Sequence, residues 1–309
     1  MSERAIVRPR LRQPELDAGL RASHDGLRYS LKHRRTLLDA ICTGVAFSLA
    51  GLALVPLLSL LAMLIVRGGP LLNLELLTGL PPAAGMPGGG IGNAIVGTLI
   101  VVGIAALFSV PFGLLAAIYL AELGNGSRFE SVVRFAAKTL TGLPSILAGV
   151  FAYAVVVVTM GRFSALAGGI ATGTLMVPIV TLTAEEALRM VPSRMRAAAY
   201  GMGSTRAQVA LFVVLPAARP AILTGVTLAL ARAMGETAPL LFTALFSNYW
   251  FQGHIDQPIA SLAVLIYNYA SSPFDDLVGL AWAASLVLVS LVLVTNLVAQ
   301  WLTRRPIEH

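Results

Sequence analysis

An all-α integral membrane protein with six transmembrane helices is the fold class the sequence predicts, on three observations. Of its 309 residues, 57% are apolar and 12% charged, against about 45–50% and about 25% in a soluble domain. The mean hydropathy is +0.80, and 29 glycines and 17 prolines sit among the apolar stretches, where neighbouring membrane helices re-satisfy the backbone. Finally, stretches of the length that crosses about 30 Å of hydrocarbon at 1.5 Å per residue recur six times.

In order, these run from Leu37 to Val66, Gly92 to Leu120, Thr139 to Thr159, Phe163 to Leu182, Ala221 to Leu245 and Leu277 to Leu302. The first two exceed the required length, so tilt is expected. Residues 1–36 are polar and basic with no cleavage site after an apolar core, and read as a disordered cytoplasmic arm. Residues 37–303 then form one six-span domain. Of the 22 Lys and Arg, nineteen fall on the side of the two termini, in the arm, between spans two and three, between spans four and five, and at the carboxyl end. Only Arg67 and Arg162 fall on the other side, and Arg232 is inside a span. The positive-inside bias therefore places both termini in the cytoplasm. A basic arm without interleaved aromatics points to anionic lipid and not to nucleic acid. The single Cys42 excludes a disulfide framework, and four scattered histidines give no metal-ligand spacing. No metal or other cofactor is expected. The run Gly88–Gly92 with Asn93–Thr98 lacks the Lys and the preceding strand of a phosphate loop, and reads as a turn into a membrane helix with a small-residue packing face.

Two features exceed the needs of a plain bundle. The segment 184–220 between spans four and five reads as two short amphipathic helices, Arg194 to Met202 and Thr205 to Leu215, separated at Gly201 and Gly203, with Pro216 ending the second. Such a knob invites a protein partner, although composition alone also allows a helix pair lying on lipid heads. In span five, Arg232 lies about 18 Å beyond Pro220 along the helix and Glu236 about 6 Å further. A charge at that depth costs about 2.5–3.5 kcal/mol, so both should face protein or a wet path. At i and i+4 they share a helical face; the pair either ties helices together or, through the planar fork of Arg, handles an oxyanion.

The same residues carry a resemblance. Ala197-Ala198-Ala199, then Gly203 separated from Val213 by nine residues, then Leu215-Pro216, resemble the EAA loop of ABC importer permeases, with Arg196 in the stretch usually seen before it. Its leading Glu is Ala197 here, which removes one acidic contact expected with the ATPase. Arg232–Ala244, Gly142–Ile146, Gly149–Tyr153, Leu188–Pro192 and Ile266–Pro273 are similar to the PstA-type permeases of bacterial phosphate importers. The resemblance covers about residues 88 to 303. It implies a type I ABC importer permease in the bacterial cytoplasmic membrane that moves inorganic phosphate and is not itself an enzyme. It further implies a homologous PstC-type permease, two copies of a PstB-type ATPase docked on Arg196–Pro216, and a PstS-type phosphate-binding protein outside. Arg232 and Glu236 would line the path, and spans three to five would tilt about discontinuities at Pro144, Pro178 and Pro239. The loop motif alone also fits an importer of sulfate, molybdate or phosphonate. An ion-coupled carrier would have no use for that loop, and an intramembrane enzyme would need paired ligands or a nucleophile with a base, which the spans lack.

Overall fold

The computed structural model describes residues 34–83, 85–124 and 126–303. Among them every regular element is helical. The expected basic arm lies outside the described residues as far as residue 33.

Contacts divide the chain after Leu61. The first unit, where described, is most of helix α1 (Arg34–Gly68), with Pro56 inside it. Every side chain from Leu37 to Leu61 is exposed, Phe47, Leu52 and Leu57 included. A helix apolar all round with no core of its own is built for lipid or for another chain.

The second unit begins with the end of α1, where the Arg67 guanidinium stacks 5.2 Å from the centre of the Trp282 ring. A short α2 (Leu74–Thr78) is capped by Asn73, whose side chain accepts from the Leu76 N–H. Then come α3 (Gly92–Leu123), α4 (Arg128–Thr141), α5 (Ser145–Met160), α6 (Ala165–Arg189), α7 (Ser193–Gly201), α8 (Arg206–Met234), α9 (Ala238–Thr243), α10 (Leu262–Ala270) and α11 (Asp275–Thr303). Among the described residues five helices, α1, α3, α6, α8 and α11, are long and apolar enough to cross a membrane, and the bent pair α4–α5 supplies up to a sixth.

That pair corrects the third expected span. Instead of one helix from Thr139 to Thr159, α4 and α5 meet at 106°. Pro144 is extended at φ −58° and ψ 131°; it has no N–H to continue the ladder, and it disfavours helix at Leu143 before it. Helix α4 turns Glu130, Arg134 and Ala137 inward and leaves Phe129, Val132 and Phe135 exposed, as a helix lying along a lipid surface does.

Helix α6 is the centre of the unit. In its most apolar 18-residue stretch 67% of the residues are buried, against 28% in the corresponding stretches of α3 and α11 and 33% in that of α8. It gets there through small residues, because glycine lets backbones approach closely where lipid offers no hydrophobic drive between helices. A Cβ at Gly169 would collide with Ile104 of α3, one at Gly113 would come within 2.8 Å of Val180, and one at Gly225 of α8 would collide with Thr183. The glycine-rich run before α3 spends its amides locally: the N–H groups of Gly90, Ile91 and Gly92 donate to the carbonyls of Leu80, Leu76 and Gly79. Just beyond, Thr98 accepts from the Leu262 N–H at 2.9 Å, and a Cβ at Gly97 would overlap the Ala260 carbonyl. Gly97→Ala should therefore lower the yield of monodisperse detergent-extracted protein, since overpacking against backbone costs about 1–3 kcal/mol.

Candidate functional site

Helix α8 brings together the two features singled out by sequence. Its amino terminus is set by a capping box: the Gln208 N–H donates to Thr205 Oγ1, and the Thr205 N–H donates to Gln208 Oε1 at 2.8 Å. Before it, Gly203 takes φ +85°, a left-handed conformation open to glycine and costly to residues with a Cβ. It lets the chain leave α7 with the Gly203 and Ser204 N–H groups donating to Tyr200 and Ala199.

Two expectations about this connection are corrected. Residues 184–189 belong to α6, so only residues 190–205 stand apart from the long helices. Pro216 does not end a helix either, since α8 runs through it to Met234. A π-helical turn at Val209–Val214 precedes the proline. That wider turn accommodates the missing donor and the clash with the preceding carbonyl that would break a regular helix.

The motif positions, and Val214 between two of them, divide by face. Ala199 and Val214 are buried with Ile118, Leu188, Val209 and Ala210 in one apolar cluster joining the ends of α3 and α6 to α7 and α8. Ala197, Ala198 and Pro216 are exposed, and Val213 and Leu215 are half-buried. Around Gly203, Met202 is 80% exposed and Phe212 75%, lining an open depression of about 350 Å³ with Ser204, Gln208 and Val213. Arg196 does not belong to that surface. Its guanidinium turns inward to Glu122 Oε1, 2.7 Å away.

Two ionic groups at this end escaped the sequence reading. Besides Glu122–Arg196, Arg134 bridges Glu130 and Glu185 at 2.7 Å each, and Arg189 lies 2.9 Å from Glu185. The i,i+4 spacings of Glu130–Arg134 and Glu185–Arg189 are visible in sequence; the links between elements are not. Arg134 beside it, together with the Gly126 N–H, holds the Glu130 carboxyl below the usual carboxylate range. A lowered folded pKa stabilises above the unfolded value near 4.3 and loses that effect as pH falls through the folded one. In thermal unfolding, this group should be silent between pH 8 and 5, and Glu130→Gln should flatten the drop below about pH 4.

At the other end of α8 the helix stops at Met234. The expected continuous span to Leu245 is broken at Gly235–Thr237, and α9 restarts with Pro239 in its first turn, where its missing N–H costs nothing. Arg232 is in the last turn of α8 and Glu236 is in the break, Nε to Oε1 3.4 Å. The pairing thus survives the loss of a shared helix. The Arg232 side chain is 52% exposed and Glu236 16%. On the same side Thr224 and Leu228 are exposed, so the arginine ends an open stripe of α8. Beside it, Thr172, Met176 and Ala229 line a crevice too narrow to admit water. The break is held from behind by α5, where a Cβ at Gly149 would stand 2.7 Å from Pro239 Cα. Pro144 marks the bend before α5, whereas α6 passes through Pro178 unbroken, so no discontinuity exists there.

The two features this fold leaves open are the half-exposed Arg232 beside the helix break and the apolar surface of Met202 and Phe212 around Gly203. Residues 109–308 match the family profile of the binding-protein-dependent transport system inner membrane component. The chain belongs to that family. Its members are multi-pass inner-membrane transport components, not enzymes, and membership implies an ATPase and a substrate-binding protein as partners. More particularly, the chain is similar to the phosphate transport system permease protein PstA of Haemophilus influenzae, with 43% identity over 77% of this chain and 84% of that protein. It is 41% identical to PstA of Xylella fastidiosa strain Temecula1 over 89% and 96%, and 35% identical to a probable PstA of Methanocaldococcus jannaschii over 85% and 93%. Among solved structures, a chain of a bacterial alginate ABC transporter aligns with TM-score 0.63 at 14% identity, covering 90% of this chain and 99% of that one. An inward-facing MetNI methionine transporter chain aligns with TM-score 0.57 at 18% identity over 69% and 93%. These two speak for the fold, which is that of type I ABC importer permeases.

Proposed function

We propose that this chain is the transmembrane permease subunit of an ATP-driven importer of inorganic phosphate. The observation that carries the reading is Arg232, half-exposed at the end of α8 beside a helix break, in a chain 41–43% identical to phosphate permeases. A lipid-facing charge there would cost about 2.5–3.5 kcal/mol, so the exposed stripe faces a second, homologous permease of the PstC type and the path between the two. Both termini lie in the cytoplasm, as the positive-inside bias favours. The apolar surface around Gly203, with Met202 and Phe212, receives one of two PstB-type ATPase copies, and a PstS-type binding protein delivers phosphate from outside. ATPase closure moves α7, and the breaks at Pro144 and before Pro239 let α5, α8 and α9 re-aim the path.

Arg232 lowers the barrier to an anion in low dielectric, and Glu236 keeps the site weak. Weakness serves transport, because a Kd of about 1 µM would lock in about 8 kcal/mol to be returned at release. Selection for phosphate rests mainly with the binding protein. Sulfate, molybdate or phosphonate fit the loop motif equally, but the phosphate permeases among its relatives favour phosphate. The test is uptake in cells of the source organism with and without this gene at micromolar phosphate. The reading expects labelled phosphate uptake to fall and sulfate uptake to stay; the reverse would overturn it.

A further inference from the structure

Arg196 occupies a position expected to face the ATPase, yet every one of its polar contacts points into this chain. Nη2 meets Glu122 Oε1 at 2.7 Å, and Nε lies 3.1 and 3.3 Å from the two carboxylate oxygens. Nη1 donates to the Val191 carbonyl, and Nη2 also donates to the Leu188 carbonyl at 2.8 Å. One guanidinium thereby joins the π-turn that ends α3, the last turn of α6 and the α6–α7 turn. The side chains are 6% exposed at Glu122 and 20% at Arg196, so neither charge is free to let go into water. Removing one partner leaves the other buried and unpaired.

The placement has a mechanical consequence. Helix α7 is joined to α8 through Gly203, across which Ala199 packs with Val209, Ala210 and Val214 in an apolar contact that carries no charge. Its remaining covalent tie is the turn to α6. Glu122, 74 positions away in the chain, is the ionic tie from α7 to α3 among the described residues, while α3 and α6 are locked to each other by the Gly169 and Gly113 contacts. We propose that the Glu122–Arg196 pair is the clamp that passes displacement of α7 to the α3–α6 pair, making Arg196 a positioning residue of the coupling helix and not an ATPase contact. The inference rests on the importer reading above.

The measurement is phosphate moved per ATP hydrolysed in vesicles holding the whole complex, normalised to assembled complex. Glu122→Gln and Arg196→Gln should each lower that ratio about tenfold, and the double variant should be no worse than the worse single, as coupled partners behave. Arg196→Lys and Glu122→Asp, which keep the charges but not the fork, should give intermediate ratios. A wild-type ratio in any neutralised variant, or losses that multiply in the double variant, overturns the clamp. If the neutralised complexes fail to assemble, the conservative variants decide, and wild-type ratios in both overturn it. A wild-type complex that hydrolyses ATP while moving sulfate and no phosphate overturns the phosphate reading alone, and the clamp is then read as sulfate per ATP.

Discussion

Arg232→Gln is expected to cut phosphate uptake by about ten- to a hundredfold with the complex still assembled, the loss corresponding to one charged hydrogen bond of about 1.5–3 kcal/mol at the barrier. The assembly should survive because the arginine is half-exposed and its contact with Glu236 is a single long one of 3.4 Å, so little packing is lost. Arg232→Lys should keep part of the activity, since charge remains while the planar fork does not. A purely structural pair behaves otherwise. Each single neutralisation would then destabilise the subunit by leaving an unpaired charge, and Arg232→Gln with Glu236→Gln would restore both yield and uptake. The double-mutant cycle, read once as membrane yield and once as uptake, separates the two. Recovery of uptake in the double variant would sink the translocation role.

The second large effect is expected at Gly203. Gly203→Leu should leave the spans inserted and uncouple ATP hydrolysis from uptake. The cause is backbone and not crowding, because nothing lies within 4 Å of a Cβ there while φ is +85°. A leucine in the left-handed region costs about 1–2 kcal/mol. The chain relieves that by reshaping the turn that presents Met202 and Phe212. Gly203→Asn should be tolerated far better, since Asn enters this region readily. Equal damage from Asn and Leu would mean that the surface around Gly203 is not what the ATPase reads. Ala197→Glu, on the exposed face of α7, should be accepted or strengthen assembly.

What the sequence makes legible here follows from which forces are local. Helices α1, α3 and α11 come within a few residues of their expected limits, and α6 starts near its own but runs on to Arg189, because long apolar runs leave the backbone no alternative in lipid. Hydropathy is blind to the two breaks. Gly235-Glu236-Thr237 interrupts a stretch that stays apolar on both sides, and Gly142-Leu143-Pro144 parts the amphipathic α4 from the apolar α5 within the expected span; the proline and glycine chemistry marks both. The motif residues Ala199, Gly203, Val213 and Leu215 are found by spacing, but that Ala199 faces inward depends on the cluster it shares with Ile118 and Leu188. The inward turn of Arg196 is hidden for the same reason: its partner Glu122 lies on another helix, and nothing local announces it.

The central claim is tested most directly by transport in vesicles containing this chain, its partner permease, the ATPase and the binding protein. The account predicts that labelled phosphate accumulates only with ATP and all four components, that excess sulfate does not compete, and that Arg232→Gln slows accumulation by about ten- to a hundredfold. Phosphate accumulation that persists without the ATPase, or sulfate accumulating in its place, would contradict it.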